Sequence, residues 1–279
     1  MDICIFSKHF QTMDAEALGR TMKGLGVEGV DLTVRPGGHV EPESVATELP
    51  AFQEALAAHG VKIAMLTTSI TGADEPHAAD VVAAAGRLGI PYVKLGYWAY
   101  EGFGSYRRQA EQIKGALKDL EPVLKGSGVR AGFHTHSGKV MGLNAEFVFR
   151  LIEDRDPETI GVYYDAGHCT VEGGAGGWMM GLDLVAERLL MVAVKDMAFF
   201  RIDSPAAGRK GWRQLMVPLD AGLTDWTEFI RCLKAIEFTG PVSFHSEYQG
   251  GHSFVDMTQE QVVAQTRKDL EYFRSLMAG

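Results

Sequence analysis

Eight times along this 279-residue chain, a short run of β-branched and aromatic residues gives way to a longer amphipathic stretch. That strict alternation restricts the fold more than any other feature. The β-like runs cover residues 3–7, 29–33, 62–67, 92–96, 130–134, 161–165, 191–195 and 242–246. They are short and apolar on both sides, as parallel strands covered on both faces must be. The intervening stretches have a period near 3.6. In one of them Ala110, Ile113, Leu117, Leu120 and Leu124 form a single apolar stripe, with Pro122 predicted to bend its last turn. Asp225 with Glu228, and Thr258 with Gln261, have capping-box spacing at the last two helix starts. Gly26, Gly60, Gly89, Gly128 and Gly240 fall where helices should stop before the next strand.

Alternating β and α units make parallel strands joined by right-handed crossovers. Eight of them predict a (β/α)8 TIM barrel in a single domain, residues 1–279, a length close to the roughly 250 residues such barrels use. The rival, an open doubly wound sheet, would carry a G-x-G-x-x-G turn after its first strand, and none is present. The three cysteines, Cys4, Cys169 and Cys232, are scattered and odd in number, which argues against a disulfide framework. The first strand begins almost at residue 1 with no leader-like segment before it, and no run is long enough to span a bilayer, so a cytoplasmic protein is expected. A net charge of −9 argues against nucleic acid as a partner. The expected partner is a small carbohydrate, with no membrane; a homo-oligomer is compatible with the sequence.

In a barrel of this kind the functional groups stand at the C-terminal ends of the strands, and residues two apart share a face. Strand five ends His134-Thr135-His136, strand six Asp165-Ala166-Gly167-His168, strand seven Lys195-Asp196 and strand eight His245-Ser246-Glu247. Each has a plain alternative. The histidines could bond to loop carbonyls, Asp165 could cap a turn, and Lys195 could form a structural ion pair with Asp165 or Glu247. Together they place five groups of metal-ligand type on neighbouring strands, and buried carboxylates and imidazoles call for a compensating cation. After strand two, Asp31, Arg35 and His39 surround a Pro-Gly-Gly turn; Arg35 suits a carboxylate or phosphate, or a bridge to an acidic loop. Tyr97, Trp98, Tyr100 and Phe103 could floor a sugar pocket or simply pack the loop. Residues 173–177, with four glycines, read as a mobile lid or hinge.

The segments Tyr164-Asp165-Ala166-Gly167-His168, Val194-Lys195-Asp196, Val217-Pro218-Leu219-Asp220-Ala221-Gly222 and Phe244-His245-Ser246-Glu247-Tyr248 resemble, in order and spacing, the sugar phosphate isomerase/epimerase family of xylose-isomerase-like barrels. The resemblance covers nearly the whole chain. It implies one divalent metal (Mn, Zn, Co or Mg) bound by a Glu on strand five, an Asp on strand six, a His on strand seven and a Glu on strand eight. Asp165, its partner His168 and Glu247 match that pattern. His134 replaces the strand-five Glu and Ala193 the strand-seven His. The metal ligands then expected are His134, Asp165, His245 and Glu247, with Glu247, Lys195 and His168 catalytic and Arg35, His39, His136 and Trp98 on the substrate. The expected reaction is isomerisation or epimerisation through an enediolate. The alternatives are a lyase acting on a 3-keto sugar or keto-inositol, and a non-catalytic sugar-binding relative. A DNA-repair endonuclease would need more ligands and a basic face.

Overall fold

The computed structural model describes residues 1–201 and 211–279. The barrel strands are β1 (Asp2–Phe6), β2 (Gly29–Val34), β3 (Lys62–Thr68), β4 (Tyr92–Lys94), β5 (Arg130–His134), β6 (Ile160–Asp165) and β7 (Leu189–Val194), closed by β10 (Pro241–Phe244). Two further strands, β8 (Asp196–Arg201) and β9 (Trp212–Val217), form an antiparallel ribbon between β7 and β10. The barrel closes in the order β1-β10-β7-β6-β5-β4-β3-β2, and every pairing in it is parallel. The helices are α1 (Ala15–Gly24), α2 (Val45–Ala57), α3 (Ala78–Arg87), α4 (Tyr106–Ser127), α5 (Ala145–Ile152), α6 (Ala166–Val185), α7 (Trp226–Ala235) and α8 (Gln259–Ala278).

Strand parity sorts the side chains into two cores. Outward residues such as Val30, Leu66, Phe133, Tyr164, Val192 and Phe244 join the helices in one large apolar layer. The barrel lumen holds a smaller cluster that includes Cys4, Met65, Tyr163, Met191 and Ala193. Each fully buried Leu, Ile or Phe in the outer layer contributes about 1.5–3 kcal/mol relative to exposure, which is why no disulfide is needed; all three cysteines are free. The helix ends follow the local signals. Thr258 and Gln261 form a reciprocal capping box, and Asp225 accepts from the Glu228 amide. Four of the five expected helix-stop glycines are left-handed; at the fifth junction Glu237 takes that conformation instead of Gly240.

Two features depart from expectation. The β8–β9 ribbon exposes Phe199, Phe200 and Trp212 and lies beside the barrel, so its pattern is not that of a buried parallel strand. Residues 173–177, expected as a mobile lid or hinge, lie within α6, which is broken at Gly174 (φ 63°, ψ −165°). No helix is long and apolar enough to cross a membrane among the described residues.

Candidate active site

Lys195 follows directly on β7 and points into the barrel mouth. Its Nζ lies 3.2 Å from Asp165 Oδ2 and 3.0 Å from Glu247 Oε1, with all three side chains buried. Local chemistry sets up this clamp. Asp165 closes β6 and caps α6, its Oδ1 accepting from the His168 amide at 2.9 Å while Oδ2 stays free for the lysine. The capping and functional roles are therefore shared between the two oxygens. A Cβ on Gly167 would run into the Lys195 carbonyl, so only glycine lets the start of α6 sit this close to the end of β7. Burial works against the charge on Lys195, but Asp165 and Glu247 outweigh it and hold the ammonium above the ordinary lysine value. Burial likewise opposes ionised Glu247, yet Lys195 and the His245 hydrogen bond hold its carboxyl well below the usual range. Asp165 is lowered for the same reason. A charged donor thus stands between two ionised carboxylates.

Asp196, beside Lys195, does other work. Its carboxylate accepts from the Leu223 and Thr224 amides, the Thr224 hydroxyl and Trp226 Nε1, tying the ribbon to the start of α7.

A polar chain runs below the clamp. Buried Asp31 accepts from Thr67 Oγ1 at 2.7 Å and Ser243 Oγ at 2.8 Å. Tyr163, two residues before Asp165 on the same face, has its hydroxyl 2.7 Å from His245 Nε2, and His245 Nδ1 is 3.3 Å from Glu247 Oε1. His134 stacks on Tyr163 (centroids 4.4 Å apart), has Nδ1 2.7 Å from the Tyr97 hydroxyl and turns Nε2 toward Asp165 Oδ2 at 3.4 Å.

Burial, reinforced by Lys195, pushes His136 down to about 4 and His168 well below the usual imidazole range. His134, with Lys94 also acting on it, falls well below that range, and burial lowers His245. All four are neutral at pH 7. The ring C–H resonances of His136 should therefore stay near their neutral-ring positions from pH 8 to about pH 5. A histidine of this group titrating near 6.5 would contradict the geometry.

A pocket of ≈ 100 Å3 opens above the clamp. Of the expected residues, Arg35, His134, His136, Lys195, His245 and Glu247 line it, with Asp165 just beneath Lys195. Three expected residues are elsewhere. His39 is folded back by the Gly38–Arg35 turn, and its ring nitrogens meet Thr33 Oγ1 at 3.0 Å and the Phe10 carbonyl at 3.2 Å, which leaves none for substrate. Trp98 stacks on Phe133, outside the barrel mouth. His168 lies behind the lining, its Nδ1 2.7 Å from Ser137 Oγ and its ring 3.9 Å from that of His136. It props His136 and does not reach the pocket.

Sequence reasoning missed Lys8, His9, Lys94, Tyr163 and His252. Lys94 and Tyr163 had a usable signal, since parity in β4 and β6 points both inward. A wider hollow of ≈ 540 Å3 lies between α5 and α6, but its lining holds none of these converging groups.

The expected metal ligands do not fit a cation at the expected place. Ala193 offers no donor, the Lys195 ammonium already stands between Asp165 and Glu247, and His134 and His245 each engage a tyrosine hydroxyl. One group among the described residues does bring three ligand atoms within 4.8 Å of one another: His9, Glu247 and His252. Each imidazole Nε2 is 3.9 Å from Glu247 Oε2, and buried His9 Nε2 has no hydrogen-bond partner. His9 Nδ1 lies 3.4 Å from Gln249 Oε1, the kind of contact that orients a ligating imidazole. Two imidazoles and a carboxylate suit a divalent transition ion.

The chain is thus a closed (β/α)8 barrel with titratable groups gathered at its C-terminal mouth. The chain belongs to the xylose isomerase-like TIM barrel family, whose sequence pattern matches residues 20–276. No curated protein matches the sequence. Several solved structures share the fold. One is 3-keto-D-glucoside 4-epimerase, YcjR, from E. coli, with TM-score 0.72, 14% identity and 99% of each chain covered. Another is an IOLI protein with a binding zinc atom, with TM-score 0.73, 14% identity, and 100% of this chain and 98% of that one covered. A third is the probable 3-DHS dehydratase AsbF from Bacillus anthracis, with TM-score 0.70, 13% identity, and 97% and 99% covered.

Proposed function

We propose that the chain is an enzyme that isomerises or epimerises a small sugar, keto-sugar or polyol by taking a proton from the carbon next to a carbonyl. The observation that carries this reading is the Lys195 ammonium clamped between Asp165 and Glu247 at the floor of the mouth pocket. Proton removal from such a carbon needs an ionised base and, within reach, a positive donor for the oxyanion that forms. Glu247 is the base. Lys195 donates to the enediolate oxygen, and Asp165 keeps the ammonium charged and aimed. The proton on Glu247 returns to the neighbouring carbon, while neutral His136, whose Nδ1 donates to the Ser137 carbonyl and whose Nε2 has no partner among the described residues, carries the hydroxyl proton between the two oxygens. A divalent cation held by His9, Glu247 and His252 would supply a Lewis acid for the carbonyl.

The replacement of a strand-five carboxylate by His134 favours a second reading, a lyase. With one carboxylate base instead of two, loss of a β-leaving group becomes an outlet for the same enediolate, and its product is an unsaturated ketone.

The test is hydrogen exchange. Ketoses and 3-keto sugars incubated in D2O with the enzyme should gain deuterium at the carbon beside the carbonyl, seen by NMR. Product analysis then separates isomer from unsaturated ketone. No exchange with any of a broad panel, by metal-replete protein, would remove this reading.

A further inference from the structure

Four cationic side chains, Lys8, Arg35, Lys94 and Lys195, line the ≈ 100 Å3 mouth pocket, against one carboxylate in its lining, Glu247. In a chain of net charge −9 this is a local excess of the opposite sign. Two of the cations have partners: Lys195 has Asp165 and Glu247, and Lys8 Nζ is 3.5 Å from Glu247 Oε2. The other two have none among the described residues. Arg35 rests only over the Phe6 ring, its guanidinium carbon 5.8 Å from the centroid. Lys94 Nζ stands 3.5 Å from the centroid of Tyr97, and the residue is 2% exposed. Asp31, whose charge reaches Lys94, has given its oxygens to Thr67, Ser243 and Tyr163.

A buried ammonium with no counter-ion is costly, and a second uncompensated cation facing the same cavity raises that cost. Burial, then repulsion from Arg35, pushes Lys94 well below the ordinary lysine value. β4 lies four strands from β10 either way round the barrel, so Lys94 faces Glu247 across the lumen. Arg35 adds a planar fork suited to two oxygens of one anion.

We infer that the substrate carries an oxyanion, the carboxylate of a sugar acid or the phosphate of a sugar ester, seated between Arg35 and Lys94. Its reacting carbon then lies toward Glu247 and Lys195. The inference rests on the proposed function only in taking this pocket as the substrate site.

Calorimetric titration of the wild-type protein with D-glucose, D-glucuronate and D-glucose 6-phosphate tests it directly. At least one charged sugar should bind tenfold or more tightly than D-glucose. The margin should shrink to about twofold or less in Arg35→Met and in Lys94→Met. Tighter glucuronate identifies a sugar acid, tighter glucose 6-phosphate a sugar ester. Equal affinity for all three, no binding of either charged sugar, or a preference that survives in Arg35→Met overturns the inference. Melting curves confirm that each variant is folded; should Lys94→Met not fold, the half-buried Arg35 decides alone. A charged-sugar preference in a protein that exchanges no C–H would remove the proposed function and leave the oxyanion site standing.

Discussion

Glu247→Gln is expected to lower kcat by about a thousandfold or more while leaving a folded barrel, the loss expected when the general base is removed. The substitution keeps the volume and one oxygen, so Lys195 retains Asp165 and the polar chain through Tyr163 retains His245. What disappears is the only carboxylate that lines the pocket among the described residues. The same change removes the anionic member of the His9–Glu247–His252 group, so bound divalent metal, measured by elemental analysis, should fall with it. Deuterium exchange is the more direct readout, because it reports proton removal even when product release is slow. Residual exchange above about a tenth of wild type would transfer the base role to another residue.

Lys195→Met should have two separable effects. Methionine matches the length of lysine but leaves Asp165 and Glu247 buried together without a cation, at a cost of about 3–5 kcal/mol in stability. Loss of the charged donor to the enediolate should lower kcat by about a hundredfold or more in the protein that remains folded. A second substitution, Asp165→Asn, removes one of the stranded charges. The double variant should regain stability without regaining turnover, and recovery of both would make Lys195 purely structural.

The pH dependence follows from linkage. Glu247 and Asp165 have folded pKa values below their unfolded ones, so their contribution is present above about pH 4 and lost as pH falls through the folded values. Lys195 is raised, so its contribution is present below about pH 10.4 and lost as pH rises through its folded value. The stability gap between wild type and Lys195→Met should therefore be largest between neutrality and about pH 10. It should close at higher pH as Lys195 loses its proton, and at lower pH as the carboxylates, stranded without a cation in the variant, take up protons. Chemical denaturation across that range checks it.

What was readable in advance is what depends on short-range periodicity. Eight β-like runs with helical stretches between them led to the closed barrel, and a period of two placed Lys195, His245 and Glu247 toward the lumen. The same rule applied to β4 and β6 would have turned Lys94 and Tyr163 inward as well. The ribbon of β8 and β9 stayed hidden because its strands are exposed and antiparallel, unlike the buried pattern of the barrel.

The sequence by itself determined the architecture and which end of the barrel holds the chemistry, because strand and helix periods are local properties of the chain. Only the tertiary structure decided which charge meets which. It brought His9 within 3.9 Å of Glu247, 238 positions away, and turned His39 back onto Phe10 and Thr33. It also put an ammonium between the two carboxylates where a metal was expected, and turned Arg35 and Lys94 toward the pocket with no carboxylate partner among the described residues. Such pairings depend on distances of a few ångströms across a closed ring of strands, and no spacing along the chain encodes them.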